Sequence, residues 1–599
     1  MKTTGMYSVC FVVFAMLFFS QCLSADNGYA PPDAFVDGSS RPYYGSLTPW
    51  TRRTFGDIDK NGKLVSRGGD LRLYGRRGQR QMLDILEGRV EDAVKYCKEL
   101  LASDPKDAES QFALTVACCA EKDYAAAAET MTNAVEAGLP FERFLAGPRD
   151  ILNPLRQTEQ FRKFFEERKS QLIHGPMLGC LTDSSVKFWV RTFEEVPVQV
   201  LVSASRDLSS PIKSTTASTS ARTDYTAVVE VKGLEPDRAY YYGVMLNGKS
   251  ASAPALPCFR TYCSSASKTS FKVAFGGGAM YNPPNERMWD TIGSRSPQAL
   301  LLLGDNVYVD LPGAYGEFHQ YTYYRRQSRA EFRRLVSSVP VFAIWDDHDC
   351  ATNDVWMGPY RDRPDWKTSQ LEGFKINWNN PGYGIEEWPG CWFKFSIADV
   401  DFFMLEGRFY RTDPLGPNPS LLGPVQKAWL LEEVKKSKAT FKVLASPVPW
   451  SFNTKGESRD TWNGFRDERE EIFSFFEENK VDGIVLISAD RHRSDARRIE
   501  RPNGYPFYEF ESSRLINEHK HGLQPGAIFG YNEKQSFGLL GFDTTRGDPT
   551  VTFEIVSIDN ETIHSVTIPL SEISHGIGGK GVVYIDNKPV KSKDIVLTR

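Results

Sequence analysis

Five short, almost wholly apolar runs punctuate the middle of the chain, at 272–275, 299–303, 341–344, 441–444 and 483–487, with longer helix-like stretches between them. Runs of that length without polar alternation read as strands buried on both faces, and strands alternating with helices read as a layered α/β unit. The residues directly after four of the runs are polar. Leu303 leads into Gly304-Asp305-Asn306-Val307-Tyr308-Val309-Asp310, and Ile344 leads into Trp345-Asp346-Asp347-His348-Asp349. Leu444 leads into Ala445-Ser446-Pro447, and Ile487 leads into Ser488-Ala489-Asp490-Arg491-His492. Ligands of such sheets bind at the carboxyl ends of the strands. Three of the four strand ends therefore bring Asp, Tyr and His towards one crevice. Buried carboxylates repel one another unless cations hold them together, so bound metal ions are expected there.

The rest of the chain is organised around this unit. At 599 residues it is long enough for roughly three to five domains, and with 41% hydrophobic and 25% charged residues each can bury a core. The 72 basic and 76 acidic side chains nearly cancel, which argues against nucleic acid as the main partner. Lys2 followed by the apolar run 7–23 and polar Asp26 and Asn27 predicts a signal peptide over 1–24, cleaved near Ser24 or Ala25, against the alternative of an uncleaved anchor. The mature protein is then secreted or periplasmic, with no later membrane span. Residues 25–77 read as an irregular leader.

Residues 78–170 read as helical, with an internal repeat. The segments 88–93 and 122–127 are offset by 34 residues, and Ala93 aligns with Ala127. The spacing and small residues resemble tetratricopeptide repeats, which implies either a surface for a protein partner or a packing module attached to the rest. Residues 174–262 alternate as strands do, at 186–191, 198–203 and 226–231. Residues 270–570 form the layered unit and 571–599 a tail. Eight cysteines beyond the signal show no metal-ligand spacing. Cys258 with Cys263, or Cys180 with either, is placed to form a bridge in an oxidising compartment, the alternative being small buried hydrophobes.

Taken in order, strand–GDxxY, strand–WDDHD and strand–xDxH resemble the alkaline phosphatase D family over 174–560. The best-matching stretches are 303–308, 344–349 with Asn353 and Asp354, and 490–492. Trp462 with Arg469, and Glu511-Ser512-Ser513, add to the likeness. The resemblance implies a multidomain α+β chain: the helical repeat region, a fibronectin-like β-sandwich, then an α/β/β/α metallophosphoesterase-type catalytic domain. It implies that Asp305 bridges two metals, that Tyr308 ligates one as a phenolate, that Asp347 takes the place of the usual asparagine ligand, and that Asp490 and His492 complete the metal shells. His348 would contact phosphate or protonate the leaving oxygen, Asn353 would stand beside the substrate, and Arg491 and Arg493 would pair phosphate oxygens, the alternative for the two arginines being surface salt bridges. Only His348 and His492 of the eight histidines fall in these motifs, so oxygen donors and hard cations, Ca²⁺ with Fe³⁺, are expected over a histidine-rich zinc or manganese site.

One position departs from the family. It places a cysteine ligand after the first strand, whereas this chain has Gly278, in Gly276-Gly277-Gly278. A glycine offers phosphate its backbone N–H but offers a metal nothing; Tyr281, Asn282 and Glu286 are nearby substitutes. The expected activity is phosphomonoester or phosphodiester hydrolysis by a metal-activated water. The alternatives are a scaffold that kept the fold without turnover and a phospholipase D-like phosphodiesterase.

Overall fold

The computed structural model describes residues 57–58, 64–65, 78–168, 171–251 and 255–598. The expected signal peptide and nearly all of the leader lie outside the described residues. Among the described residues no helix is long and apolar enough to cross a membrane.

Two sheets lie face to face at the centre. In the first, Val341–Ile344, Ala299–Leu303 and Ser270–Gly276 run parallel, and Ser536–Asp543, Thr550–Ser557 and Thr562–Pro569 extend the sheet antiparallel. In the second, Val400–Met404, Phe441–Ala445, Ile484–Ser488 and Phe507–Ser512 run parallel, flanked by antiparallel neighbours. The apolar strand runs divide their side chains between two cores, as a two-residue repeat requires. Leu301 and Leu303 join the core between the sheets, whereas Leu300 and Leu302 face Trp289, Ile292, Phe332 and Leu335 of the outer helices. Phe542 of the first sheet meets Phe402 and Phe441 of the second at 6.0 and 5.6 Å. Helices Gly423–Lys436 and Arg466–Glu478 cover the outside of the second sheet through Leu430, Val434, Ile472 and Phe476. The chain is thus mixed α+β, with several sheets. The stretch 571–599, expected as a tail, instead adds the strands Val582–Ile585 and Lys588–Lys591 to the edge of the first sheet. The glycines at 576, 578, 579 and 581 and the short length of these strands masked their alternation.

Ahead of this unit, Leu172–Gly179, Ser185–Thr192 and Thr226–Lys232 form one small antiparallel sheet, and Pro197–Ser203 pairs with Ala239–Leu246 in another. Their inner residues share a core, with Phe188 and Tyr242 ring centres 4.6 Å apart. Of the two readings of Cys180, Cys258 and Cys263, the bridge is not seen among the described residues. Cys180 is buried with its Sγ 3.4 Å from the Asn379 carbonyl, Cys258 points to solvent and Cys263 sits beside Thr269.

Residues 79–168 are helical, and the helices Val90–Ser103 and Tyr124–Glu136 begin at positions that follow the repeat offset. These helices pack on Glu317–Gln327 of the layered unit. Arg143 pairs with Glu109 at 2.7 Å, and Tyr321 donates to the same carboxylate at 2.9 Å, all three side chains being buried. Gln79 donates through Nε2 to the carbonyl of Tyr308 at 2.8 Å, so the first helix also braces the loop after the strand Ala299–Leu303.

Candidate metal centre

The loops after the strands Ala299–Leu303 and Val341–Ile344 place the central side chains. The backbone is contorted in the first of these loops, where Asp305, Tyr308 and Asp310 have φ of 56, 55 and 57°, and again after the strand Ile484–Ser488, where Asp490 and His492 have φ of 72 and 46°. Non-glycine residues in the left-handed region are uncommon and cluster where side chains are held for function. Asp349 fixes the first loop by accepting from the backbone N–H groups of Asn306 and Val307 at 2.7 and 3.1 Å.

Asp305, Asp347 and His348 converge, each offering an atom within 4.8 Å of the others. Tyr308 donates its hydroxyl to Asp305 Oδ2 at 2.9 Å, accepts from Asn517 at 2.8 Å, and stacks on His348 with ring centres 4.5 Å apart. The remaining oxygen of Asp305, Oδ1, is buried with no hydrogen-bond partner among the described residues. Burial raises the Asp305 carboxyl well above its ordinary range, and Asp347 and Asp346 add to the effect against His348. Burial also lowers the His348 imidazole, but Asp310, Asp347 and Asp305 outweigh it and hold the ring above its usual value. His348 Nδ1 is bonded to Asp310. A cation at this cluster would satisfy Asp305 Oδ1 and reverse the repulsion among the carboxylates, so the oxygen donors fit a hard metal ion.

A second acidic group, Asp347, Asp354 and Asp460, lies alongside. The chain neutralises this one itself. Arg408 bonds Asp346 and, at 2.7 Å, Asp460; Lys455 reaches Asp460 at 2.8 Å, Asp354 at 3.0 Å and Asp490 at 3.7 Å. Burial raises the Asp460 carboxyl, but Arg408, Lys455 and Arg411 overcome that and hold it well below the usual range. The first group therefore fits a cation better than the second.

The remaining expected residues are spread around these groups. Asp490 lies between Lys455 and Arg491, whose guanidinium is 3.4 Å away. Arg493 is fully buried and committed to Asp495 at 2.8 Å and Glu511 at 3.2 Å. Asn353 is half-buried, but the residue that joins the cluster is its neighbour Asp354, whose N–H donates to Asp347 at 2.6 Å. Of the nearby substitutes Tyr281, Asn282 and Glu286, Asn282 keeps a buried Oδ1 with no hydrogen-bond partner among the described residues. Glu286 is taken by Arg326 and by Trp289 at 2.7 Å, Asn282 by Glu518 at 2.8 Å, and Tyr281 lies under Arg325. Trp462 stacks on Trp450 at 4.6 Å, and Arg469 donates to the Trp450 carbonyl at 2.7 Å, which makes this pair a brace behind the strand Phe441–Ala445.

Gly278 has φ of +66°, and a Cβ built there falls 2.2 Å from the Ser513 carbonyl oxygen and 3.3 Å from His492 Nδ1. Its own carbonyl accepts from Asn517 at 3.1 Å. The glycine is built into the fold, and a thiolate ligand does not fit at this position. Sequence reasoning missed Asp310, Asn517, Arg408, Lys455 and Asp460. It also missed His519 and His521, which close on His492 with ring centres 5.3 and 5.1 Å away. The only available signal was the His519-Lys520-His521 spacing; Asp310, Asn517 and Arg408 lie on loops whose partners are 38, 209 and 62 residues away in the chain.

Comparison with known proteins agrees with this picture. The model of the PhoD-like phosphatase family matches residues 273–525, and that of a domain of unknown function (DUF7800) matches 169–261. Alkaline phosphatase D of Bacillus subtilis (strain 168) is 23% identical over 392 residues, 54% of this chain. The match spans 65% of that relative's length, just under two thirds. Among solved structures, PhoD superposes with a TM-score of 0.55 at 17% identity, covering 66% of this chain and 89% of that one. Purple acid phosphatase PPD1 from yellow lupin seeds superposes with a TM-score of 0.50 at 12% identity, covering 66% and 75%. At those identities the two structures speak to the fold alone. Together with the strand-end motifs, the family match identifies the layered unit: the chain carries a PhoD-like phosphatase domain over residues 273–525.

Proposed function

We propose that the chain is a metal-dependent hydrolase of phosphate esters, of alkaline phosphatase D type, acting outside the cytoplasm. The observation that carries this reading is the convergence of Asp305, Asp347 and His348 at the carboxyl ends of two parallel strands, with Asp305 Oδ1 buried and unpartnered. Asp305, Tyr308 and Asp347 would hold the first ion, with Asp490 and His492 as donors to a second. Oxygen ligands favour Ca²⁺ and Fe³⁺, with no thiolate to support the iron. When bound, the ions supply charge that activates water and stabilises the transferring phosphoryl group.

The chain's own side chains have separable roles in this reading. Asp310 holds His348 by Nδ1, which leaves Nε2 to meet a phosphate oxygen or to give a proton to the leaving oxygen. Arg491 is assigned to phosphate through a guanidinium whose buried Nε lacks a partner among the described residues. Arg493, tied to Asp495 and Glu511, acts by positioning the strand rather than by free contact with substrate. The Gly277 and Gly278 turn and Asn353 are assigned to the substrate side. Gly278 is also the observation that favours the second reading, a fold kept for binding without turnover. A protein partner on the outer face of the helices remains part of the proposal, although their inner face is already used for packing.

Assay of an aryl phosphomonoester and an aryl phosphodiester with wild type and Asp305→Asn tests the reading and ranks the substrate classes. The variant is expected to lose at least about 100-fold of the activity. A wild type inactive on both esters with every metal supplied, or an Asp305→Asn variant as active as wild type, would overturn it.

A further inference from the structure

One amide reaches the carboxylate cluster from outside it. Asn517 is 2% exposed, and its Nδ2 donates to the Tyr308 hydroxyl at 2.8 Å. That hydroxyl in turn donates to Asp305 Oδ2 at 2.9 Å. A further bond fixes which way the amide points: Asn517 Oδ1 accepts the His519 N–H at 3.0 Å, so the NH₂ end faces Tyr308. The backbone of Asn517 is held on both sides. Its N–H donates to the Gly278 carbonyl at 3.1 Å, and its own carbonyl accepts from Gln535 Nε2 at 3.1 Å. Leu515 and Ile516 dock on the same turn, through the carbonyl of Gly277 at 3.1 Å and that of Gly278 at 3.3 Å. The left-handed turn at Gly278, with φ of +66°, therefore seats the segment that carries Asn517.

From this arrangement we propose that Asn517 is a positioning residue for the metal centre, which holds the Tyr308 oxygen beside Asp305 and thereby sets how tightly the first cation binds. The proposal rests on the reading in which Asp305, Tyr308 and Asp347 hold that ion. Stacking on His348, with ring centres 4.5 Å apart, orients the face of the Tyr308 ring, and the Asn517 amide fixes its oxygen end. A partner that hydrogen-bonds a metal ligand from outside orients that ligand, and its loss costs about 10–100-fold in metal affinity. Gly278 gains a task in this account. It cannot supply a thiolate, but its carbonyl is the seat that presents Asn517 to Tyr308.

The test is a double-mutant cycle on metal affinity, read without any substrate. The full chain is freed of metal and titrated with whichever of Ca²⁺, Fe³⁺ and Zn²⁺ wild type retains after dialysis, and bound metal is counted at each free concentration. Wild type, Asn517→Ala, Asn517→Leu, Tyr308→Phe and the double variant Asn517→Leu/Tyr308→Phe are compared, with melting curves of the metal-free chains to verify folding. Both single changes at 517 are expected to raise the dissociation constant at least about tenfold. They differ in volume and share the loss of the amide, so if one fails to fold the other decides. In the Tyr308→Phe background, where the acceptor is gone, the change at 517 is expected to add less than about twofold, because the coupling of two residues vanishes once either is removed. Unchanged affinity in the variants at 517, or an equal loss with and without the Tyr308 hydroxyl, would overturn the proposal and leave Asn517 a structural tie of its loop, while the metal reading stands. A wild type that takes up none of the three ions would overturn that reading and the proposal with it.

Discussion

Single residues decide how the centre can be built, and Gly278 decides most. With φ of +66° and the Ser513 carbonyl where a Cβ would fall, the turn accepts no side chain without moving the loop that carries Asn517 and the two exposed-side histidines. Replacing it by cysteine therefore does not recover a ligand. Gly278→Cys is expected to destabilise the chain by about 2 kcal/mol or more, through left-handed strain and overpacking. Denaturant unfolding measures this, and a neutral or stabilised variant that binds additional iron would contradict it. At this scale the sequence was informative about the clustered side chains because strand ends announce them: Asp305, Tyr308, Asp347 and His348 came from local motifs and meet in space. It was silent about Arg408 and Lys455, whose charges neutralise Asp460 across 52 and 5 residues of chain. It also undercounted histidines, since His519 and His521 sit on a loop with no motif of its own.

At the scale of elements, the helix Glu317–Gln327 is the least expected piece. It is polar in composition, with two arginines and three tyrosines, yet nearly all of it is buried. It lies between the N-terminal helices and the layered unit, with Tyr321 bonded to Glu109 on one side and Arg326 to Glu286 and Gln327 to Asn377 on the other. Burial raises the Glu109 carboxyl, but the charge and hydrogen bonds of Arg143, with Arg325 and Tyr321, pull it below its ordinary value. A depressed carboxyl stabilises the fold fully above its unfolded pKa of about 4.3, and that contribution fades as pH falls through and below this value. Glu109→Gln strands Arg143 in the interior, so it is expected to cost about 3–5 kcal/mol at neutral pH. The difference from wild type should shrink below about pH 4. Unfolding curves at pH 7 and pH 3.5 check this; a difference independent of pH would show that the pair carries no charge-dependent stability. The interface also gives the helical region a structural task, because Gln79 braces the carbonyl of Tyr308.

Across the whole molecule, the layered core was legible because its strands are fully buried and short, a pattern that only a sheet sandwiched between other layers tolerates. The order of strands was not, since pairings such as Ser270–Gly276 with Ser536–Asp543 join segments more than 250 residues apart in sequence and leave no local trace. The last hairpin escaped notice because its strands are short and follow closely spaced glycines, and proximity in sequence does not bring Cys258 and Cys263 together in a bridge. What unites the fold and the site is a carboxylate cluster that is costly without cations and sits at the carboxyl ends of two parallel strands. The most direct test is to strip the full chain of metal with a chelator, confirm by elemental analysis that it is empty, and measure aryl phosphate hydrolysis before and after returning Ca²⁺, Fe³⁺ or Zn²⁺. The account predicts that hydrolysis disappears with the metal, returns in step with the metal bound, and does not return in Asp305→Asn. Undiminished hydrolysis by the metal-free chain, or wild type that binds no cation at all, would contradict it.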